Sequence, residues 1–233
     1  MSGDTLLHSL RFVVLDTELT SLDHRTNRLL SIGAIEMRGP SIQLGNQFYR
    51  VVNPRVPIPT ETILIHKLRS VDVVEGESPG AALDDLRQFI AGAVLVGHCV
   101  DIELKILKKE MGDTGHTLNS AAIDTARVHH WILRHGPYSE DLPVHLENLD
   151  LPTLAKFYSL DVQDSHHALA DAFLTARVWQ KMLCLLPAKG VRSLQKLLKI
   201  GAAYLPVNAN LKKKQLRKRF SAFLAAFLRG LCG

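Results

Sequence analysis

The chain has 233 residues, 46% of them hydrophobic, and a formal net charge of +5. This length and hydrophobic content are enough for one well-packed domain and an appendage. Its three cysteines (Cys99, Cys184 and Cys232) are isolated, and this spacing fits neither a disulfide framework nor a zinc cluster. The sequence shows no apolar run of membrane-spanning length and no secretory signal. We therefore expect a cytoplasmic location.

The charge is divided unevenly along the chain. Residues 1–171 hold 15 Lys and Arg and all 23 Asp and Glu, a net charge of −8, whereas the remaining residues hold 13 Lys and Arg and no acid. This division predicts that the tail, rather than the body, attracts the chain to a polyanion. Pro187 to Gly190 contains the breakers Pro and Gly, which indicate a boundary of the body. We therefore predict a domain over residues 1–188 and a basic helical extension over residues 189–233.

The body is predicted to be α/β. Three β-like apolar runs with short connections indicate an antiparallel start to a sheet, at residues 12–15, 28–37 and 43–53. Helical spacing of apolar residues then predicts a helix around 83–90, a buried strand at 93–96 and a helix at 102–111. Strand and helix in alternation place parallel strands in the same sheet. Later helices are predicted at 126–134, 167–186, 191–200 and 211–229.

Acidic residues end the first predicted strand and begin the helix at 167–186. Asp16 and Glu18 are two residues apart, so their side chains share one face if the strand continues through them. Asp171 lies in an apolar context, where a carboxylate needs a partner. Taken alone, Asp16 and Glu18 are more typical of a solvated loop, and His166 of a helix cap. Together they predict a site for a divalent cation such as Mg²⁺, which prefers oxygen ligands.

Three segments carry these residues: VVLDTELTSLDHRTNRLLSIGAI, LVGHCVDIEL and HHALADAFLTA. In this order they resemble the three motifs of the DnaQ-like DEDDh exonucleases, which have the RNase H-like fold. IDTARVHHW and FYRVVNP also follow the family order, and the resemblance covers residues 11–185. It implies a mixed sheet flanked by helices and removal of nucleotides from a 3′ end.

The resemblance also implies roles for individual residues. Asp16, Glu18 and Asp171 match the ligands of one metal ion, Asp16 also matches a ligand of the second, and His166 matches the general base that activates water. The cofactors implied are two Mg²⁺ or Mn²⁺ ions. Two ions about 3.5–4 Å apart stabilise the entering and leaving oxygens of an in-line displacement.

The second motif departs from the family pattern His-Asn-x-x-Phe-Asp. Alignment on His98 places Cys99, Ile102 and Glu103 at the Asn, Phe and Asp positions. Glu103 keeps the charge but adds a methylene, which can weaken the second metal site or slow the chemistry. We assign Glu103 as the functional acid, and Asp101, expected on a different face, is the alternative.

A pocket for the terminal nucleotide is implied as well, formed by Thr17, Leu19, Thr20, His66 and His98. For three of these residues a structural role is an equal or competing interpretation. Leu19 packs on the terminal base or in the core, and His66 contacts the nucleotide or lies at the surface. His98 bonds a sugar or phosphate, or fixes the end of a strand.

The extension lies outside the resemblance. Residues 211–219 (LKKKQLRKR) are basic, and an apolar stripe at helical spacing follows, formed by Phe220, Phe223, Leu224, Phe227, Leu228 and Leu231. Three interpretations stay open. The stripe docks on the body or on a partner such as a polymerase while the basic residues bind nucleic-acid phosphates, the segment lies on a membrane surface, or it is a solvated tail. The membrane interpretation is the least favoured.

We therefore expect a Mg²⁺- or Mn²⁺-dependent 3′→5′ exonuclease that acts on single-stranded or frayed 3′ ends, with DNA favoured over RNA. The alternative is a catalytically weak 3′-end binding module, in which Glu103 has reduced turnover and the tail recruits partners. The intact set of Asp16, Glu18, His166 and Asp171 favours the enzyme.

Overall fold

A computed structural model describes residues 5–21, 23, 25–113, 115, 117–136, 150–162 and 166–203. Its centre is a sheet of five strands, β1 (Arg11–Leu19), β2 (Leu29–Arg38), β3 (Ser41–Val51), β4 (Val94–Gly97) and β5 (Ala122–Asp124). They lie in the order β3-β2-β1-β4-β5. The pairs β1–β2 and β2–β3 are antiparallel, whereas β1–β4 and β4–β5 are parallel.

Helices cover both faces of this sheet. They are α1 (Thr60–His66), α2 (Ser70–Val73), α3 (Pro79–Ile90), α4 (Asp101–Asp113), α5 (Thr125–Arg134), α6 (Leu151–Phe157), α7 (Ala168–Leu185) and α8 (Leu194–Gly201). Side chains cap three of them, because Ser78, Asp124 and Asp150 each accept a hydrogen bond from the first turn of the helix that follows.

The side chains of β1 alternate between two core layers. Phe12 and Val14 belong to one cluster with α7, where the ring of Phe12 meets Trp179 edge-on at 5.5 Å. Val13 and Leu15 belong to a second cluster, with α3 and α4. Since side chains two residues apart share a face, residues 16 and 18 continue the face that packs against α7.

The predicted fold class, a mixed sheet flanked by helices, is confirmed. The antiparallel start and the parallel strands appear as expected, and Asp124 caps the following helix. The sequence did not predict the three-residue strand β5 or the short helices α1, α2 and α6. Such elements are too short to show a periodic pattern.

The first part of the predicted extension packs on the body. Leu194 and Leu197 of α8 are buried in the cluster that contains Phe12 and Trp179, and the Ala203 N–H donates to the carbonyl of Ala122. Residues 204–233, which include the basic segment and the apolar stripe, lie outside the described residues. The division at residue 188 stays a prediction. In the part of the chain that is described, no helix has both the length and the apolar character to cross a bilayer.

Candidate active site

Three carboxylates meet where the end of β1 faces the start of α7. Asp16 and Glu18 come from β1 and Asp171 from the first turn of α7, and each offers an oxygen atom within 4.8 Å of the other two. All three side chains are half-buried. Divalent cations bind carboxylate oxygens at about 2.0–2.6 Å, so one cation at the centre of this cluster can contact all three residues.

The close approach of α7 to the sheet depends on Gly33 in β2. Gly33 pairs with Asp16 in the neighbouring strand. A Cβ atom at Gly33 would lie 2.2 Å from the backbone carbon of Ala168 and 2.2 Å from the backbone nitrogen of Leu169. The start of α7 therefore lies directly on the backbone of β2, which brings Asp171 beside β1.

A fourth acid, Glu103, reaches the cluster from the first turn of α4. Burial is the largest cause of the raised pKa of Asp16, and the charge of the Glu103 carboxylate is the second. The Glu103 Oε2 atom is buried and has no hydrogen-bond partner among the described residues. A buried, unpartnered carboxylate oxygen beside other carboxylates fits a cation ligand.

The alternative acid, Asp101, points to another partner. Its Oδ2 atom lies 2.9 Å from Nη2 of Arg127 in α5. Arg127 also lies 3.7 Å from the carboxylate of Asp124, through Nε, and donates to the carbonyl of Ala202 at 3.3 Å. Sequence analysis missed Arg127, whose only signal was its place in the segment IDTARVHHW. This ion pair supports Glu103, rather than Asp101, as the acid of the site.

Mutual repulsion and burial disfavour the charged forms of the site carboxylates. Burial raises the pKa of Asp16 well above its ordinary value, and repulsion from the neighbouring carboxylates adds to this. Burial, followed by repulsion from Asp171, raises the pKa of Glu18 to about 8. Burial is also the main reason that the pKa of Glu103 rises to about 8. The residues present therefore fit a divalent metal, which would neutralise this charge.

The raised pKa of Glu18 predicts a pH dependence of stability without metal. Folding raises this pKa from an ordinary 4.5 to about 8, so the folded protein binds the proton more tightly, and that contribution to stability is lost as the pH rises through this range. We expect Tm in EDTA to fall more in the wild type than in Glu18→Gln between about pH 5 and pH 8. Mg²⁺ should reduce the difference, because a cation replaces the proton.

Thermal melting followed by circular dichroism checks this expectation, with EDTA and with Mg²⁺ at each pH. The difference between the two proteins is the quantity that matters, because groups outside the site titrate equally in both. Parallel Tm curves for the wild type and Glu18→Gln in EDTA would contradict it.

Two histidines lie close to each other at the site. His166 directly precedes the capping residue of α7 and has a φ of 38°, a left-handed backbone conformation that costs energy for a residue other than glycine. His66, at the end of α1, is buried, and its Nδ1 atom accepts a hydrogen bond from the Leu68 N–H at 3.0 Å. The Nε2 atom of His66 therefore carries the proton and is a donor. Burial, and then repulsion from His166, lowers the pKa of His66.

The other residues predicted to contact a nucleotide differ in their surroundings. Thr17 and Leu19 are each only 8% exposed, and Leu19 packs in the core cluster with α3 and α4. The Thr20 hydroxyl accepts a hydrogen bond from the N–H of residue 28 at 3.0 Å. The Nδ1 atom of His98 lies 3.0 Å from the hydroxyl of Thr125. These contacts give Leu19, Thr20 and His98 structural roles, whereas the Thr17 Oγ1 atom is buried without a hydrogen-bond partner among the described residues. Contact of the four residues with a nucleotide stays a prediction.

Comparison with known proteins gives a family and relatives. A family model described as exonuclease matches residues 13–179. The DNA polymerase III subunit epsilon of Rickettsia conorii is 31% identical over 185 residues, which cover 76% of this chain and 75% of that protein. The PolC-type DNA polymerase III of Caldanaerobacter subterraneus subsp. tengcongensis is 30% identical over 189 residues, 80% of this chain. The chain spans only 12% of the length of that polymerase.

Solved structures share the fold at lower identity. The E. coli Exonuclease I complex with single-stranded DNA has a TM-score of 0.67 and 14% identity, over 78% of this chain and 42% of that one. Exonuclease X in complex with 5′ overhanging duplex DNA has a TM-score of 0.57 and 20% identity, over 81% of this chain and 97% of that one. With the family model matching well over half of its length, the chain belongs to the exonuclease family, as a DnaQ-like exonuclease domain with the RNase H-like fold.

Proposed function

We propose that the protein hydrolyses phosphodiester bonds at the 3′ end of single-stranded or frayed nucleic acid, in the 3′→5′ direction and with two Mg²⁺ or Mn²⁺ ions. The observation that carries this proposal is the cluster of Asp16, Glu18 and Asp171, whose oxygens lie within 4.8 Å of one another. DNA is favoured over RNA because the relatives are DNA polymerase subunits.

Four carboxylates would hold the metal ions. Asp16, Glu18 and Asp171 would hold one ion, and Asp16 with Glu103 the second. Divalent ions bound there would neutralise charge at the scissile phosphate and would stabilise the entering and leaving oxygens of the displacement. The protein contributes the placement of these carboxylates, which come from β1, α4 and α7.

Of two histidines, one would accept a proton and the other would donate a hydrogen bond. His166 would accept the proton of the attacking water at a neutral ring nitrogen, a contribution of roughly a hundred- to ten-thousandfold for a positioned base. His66 would donate its Nε2–H to an oxygen of the terminal nucleotide, since its Nδ1 is occupied by the Leu68 N–H. Thr17, Leu19, Thr20 and His98 would complete the pocket, partly by supporting its walls.

Labelled oligonucleotides test the function directly. With 5′-labelled DNA and Mg²⁺ or Mn²⁺, we expect a ladder that shortens from the 3′ end, and with 3′-labelled DNA we expect release of the labelled mononucleotide. EDTA should stop both, and parallel RNA substrates measure the sugar preference. Binding of 3′ ends without cleavage in either metal would favour the alternative, a catalytically weak 3′-end binding module.

Variants of Glu103 test its assignment as the acid of the second motif. We expect Glu103→Asp to keep or raise activity in Mg²⁺, because the shorter side chain restores the acid of the family motif. Glu103→Gln should lower kcat by about a hundredfold or more, because a metal ion supplies several kcal/mol of transition-state stabilisation. Asp101→Asn is the matched control and should have the smaller effect, since Asp101 pairs with Arg127. A damaging Asp101→Asn beside a silent Glu103→Gln would reverse the assignment.

The basic extension is proposed to bind the phosphates of longer strands, and its apolar stripe to dock on a polymerase or another protein. Truncation after Ala203 keeps α8 and removes seven Lys and Arg. Each basic residue that contacts a single-strand phosphate adds about 0.7 to the slope of log affinity against log salt. We expect the truncated protein to bind a long single strand with a shallower slope, measured by fluorescence anisotropy, and to cleave a saturating short oligonucleotide normally. Equal slopes would leave the extension as an element that docks on a protein or on a membrane surface. The cytoplasmic location stays a prediction.

A further inference from the structure

Two aromatic side chains stack beside the carboxylate cluster. They are Tyr49 in β3 and His167, the residue that precedes α7, with ring centroids 4.6 Å apart and planes inclined by 24°. The imidazole is exposed, whereas Tyr49 is half-buried. His167 therefore presents its ring to solvent, and the ring of Tyr49 packs against it on the protein side.

The position of the stack follows from the sheet register. Gly33 pairs with Asp16 on one side and with Tyr49 on the other, so Asp16 and Tyr49 project from the same face in one row across three strands. Neighbouring strands are about 4.8 Å apart, which puts the Cα atoms of these two residues about 10 Å from each other. The start of α7 crosses this row at Gly33 and carries His167 to Tyr49 and Asp171 to Asp16.

The stack also faces the chemistry of the site. Burial raises the pKa of Tyr49, a hydrogen bond with Ser31 opposes this rise, and the nearby charge of Glu18 adds to it, which places the phenol close to a site carboxylate. His167 directly follows His166, the proposed general base. The exposed imidazole therefore lies beside the carboxylates at which a scissile phosphate would bind.

An open apolar groove continues from this ring. It has a volume of about 280 Å³ and runs from His167 past Leu169 and Phe173 of α7 to Leu44 of β3. Leu44 is 67% exposed and Phe173 is 37% exposed. Gln47 and His167 are its polar lining residues, and none of the described residues that line it is a carboxylate that would repel a nucleic acid.

We propose that the Tyr49–His167 stack is a base-stacking platform for the substrate strand, with His167 in contact with a nucleobase and Tyr49 holding the imidazole in place. The inference rests on the proposed exonuclease function and adds to it a contact with a base rather than with the phosphate or sugar. Every base has a π face, so such a platform accepts all bases. Stacking on an aromatic side chain corresponds to about 5- to 150-fold in affinity.

Abasic oligonucleotides test this platform. A single abasic site is placed at each of the last few positions of a short DNA strand, and KM is measured for the wild type and for His167→Ala. In the wild type, loss of the stacked base should raise KM by about 5- to 150-fold at one position. In His167→Ala, KM for the intact strand should be raised, and the abasic penalty at that position should disappear while penalties at other positions remain.

Matched variants complete the experiment. His167→Phe should restore the position-specific penalty, because a ring is again available. His8→Ala, a change of an exposed histidine at the opposite end of β1 from the site, should behave as the wild type. An unchanged abasic penalty in His167→Ala would overturn the platform. If the wild type cleaves no oligonucleotide, the proposed function fails instead, so the two failures are distinguishable.

Discussion

Asp16→Asn and Asp171→Asn are expected to lower kcat on a labelled oligonucleotide by about a thousandfold or more, while the protein stays folded. Each change removes one charge from oxygens that lie within 4.8 Å of one another. Metal ions supply several kcal/mol of transition-state stabilisation, and about 1.4 kcal/mol corresponds to a tenfold change in rate. The loss should appear in both Mg²⁺ and Mn²⁺.

Stability should change in the opposite direction. Burial and repulsion raise the pKa of Asp16 well above its ordinary value, so ionising this residue near neutral pH costs free energy in the folded protein. Asn carries no charge, and we expect Tm in EDTA to rise in Asp16→Asn. Functional sites are commonly arranged at such a cost to stability.

The control is an acid outside the site. Asp113→Asn changes an exposed carboxylate at the end of α4, and both activity and Tm should stay close to those of the wild type. Full activity in Asp16→Asn or Asp171→Asn would remove that residue from the site, once contaminating nuclease has been excluded by a purified double variant.

Local rules predicted a large part of this arrangement. The strand predicted at 12–15 continues through Asp16 and Glu18, which was the condition for their side chains to share a face, and its alternation puts both acids on the face of α7. The helix predicted at 167–186 is observed at Ala168–Leu185. Long elements with a regular apolar pattern can be predicted from the sequence alone.

The choice of Glu103 over Asp101 came from alignment with the family motif and not from local spacing. Asp101 and Glu103 lie in the same turn of α4, and Arg127, which pairs with Asp101, belongs to a different helix. Sequence spacing within α4 contains no information about that partner. Tertiary contacts of this kind decide which side chain faces a site.

Cys99 shows how the backbone explains a departure from the family motif. Its φ is 53°, in the left-handed region. Asn adopts this conformation more readily than most residues, so Cys at this position is less favourable for the backbone than the Asn of the family motif. The sequence alone shows that Cys replaces Asn, but it does not show the left-handed backbone conformation at this position.

Gly33→Ala is expected to reduce both stability and activity, although Gly33 contacts no substrate. The added Cβ would lie 2.2 Å from backbone atoms of Ala168 and Leu169, and backbone atoms cannot rotate aside as a flexible side chain can. The start of α7 must therefore move away from β2. Overpacking of this kind costs about 1–3 kcal/mol, which urea unfolding measures.

The same movement displaces the residues that α7 carries to the site. A misplacement of about 1 Å can cost about a hundredfold in rate, so we expect kcat to fall by about that factor. Gly45→Ala is the matched control in β3, because a Cβ there meets nothing within 4 Å, and it should retain activity and stability. Wild-type behaviour of Gly33→Ala would show that α7 does not rest on β2. Since Asp16→Asn should lose activity while gaining stability in EDTA, and Gly33→Ala should lose both, the sign of the stability change separates loss of a metal ligand from displacement of the helix that carries one.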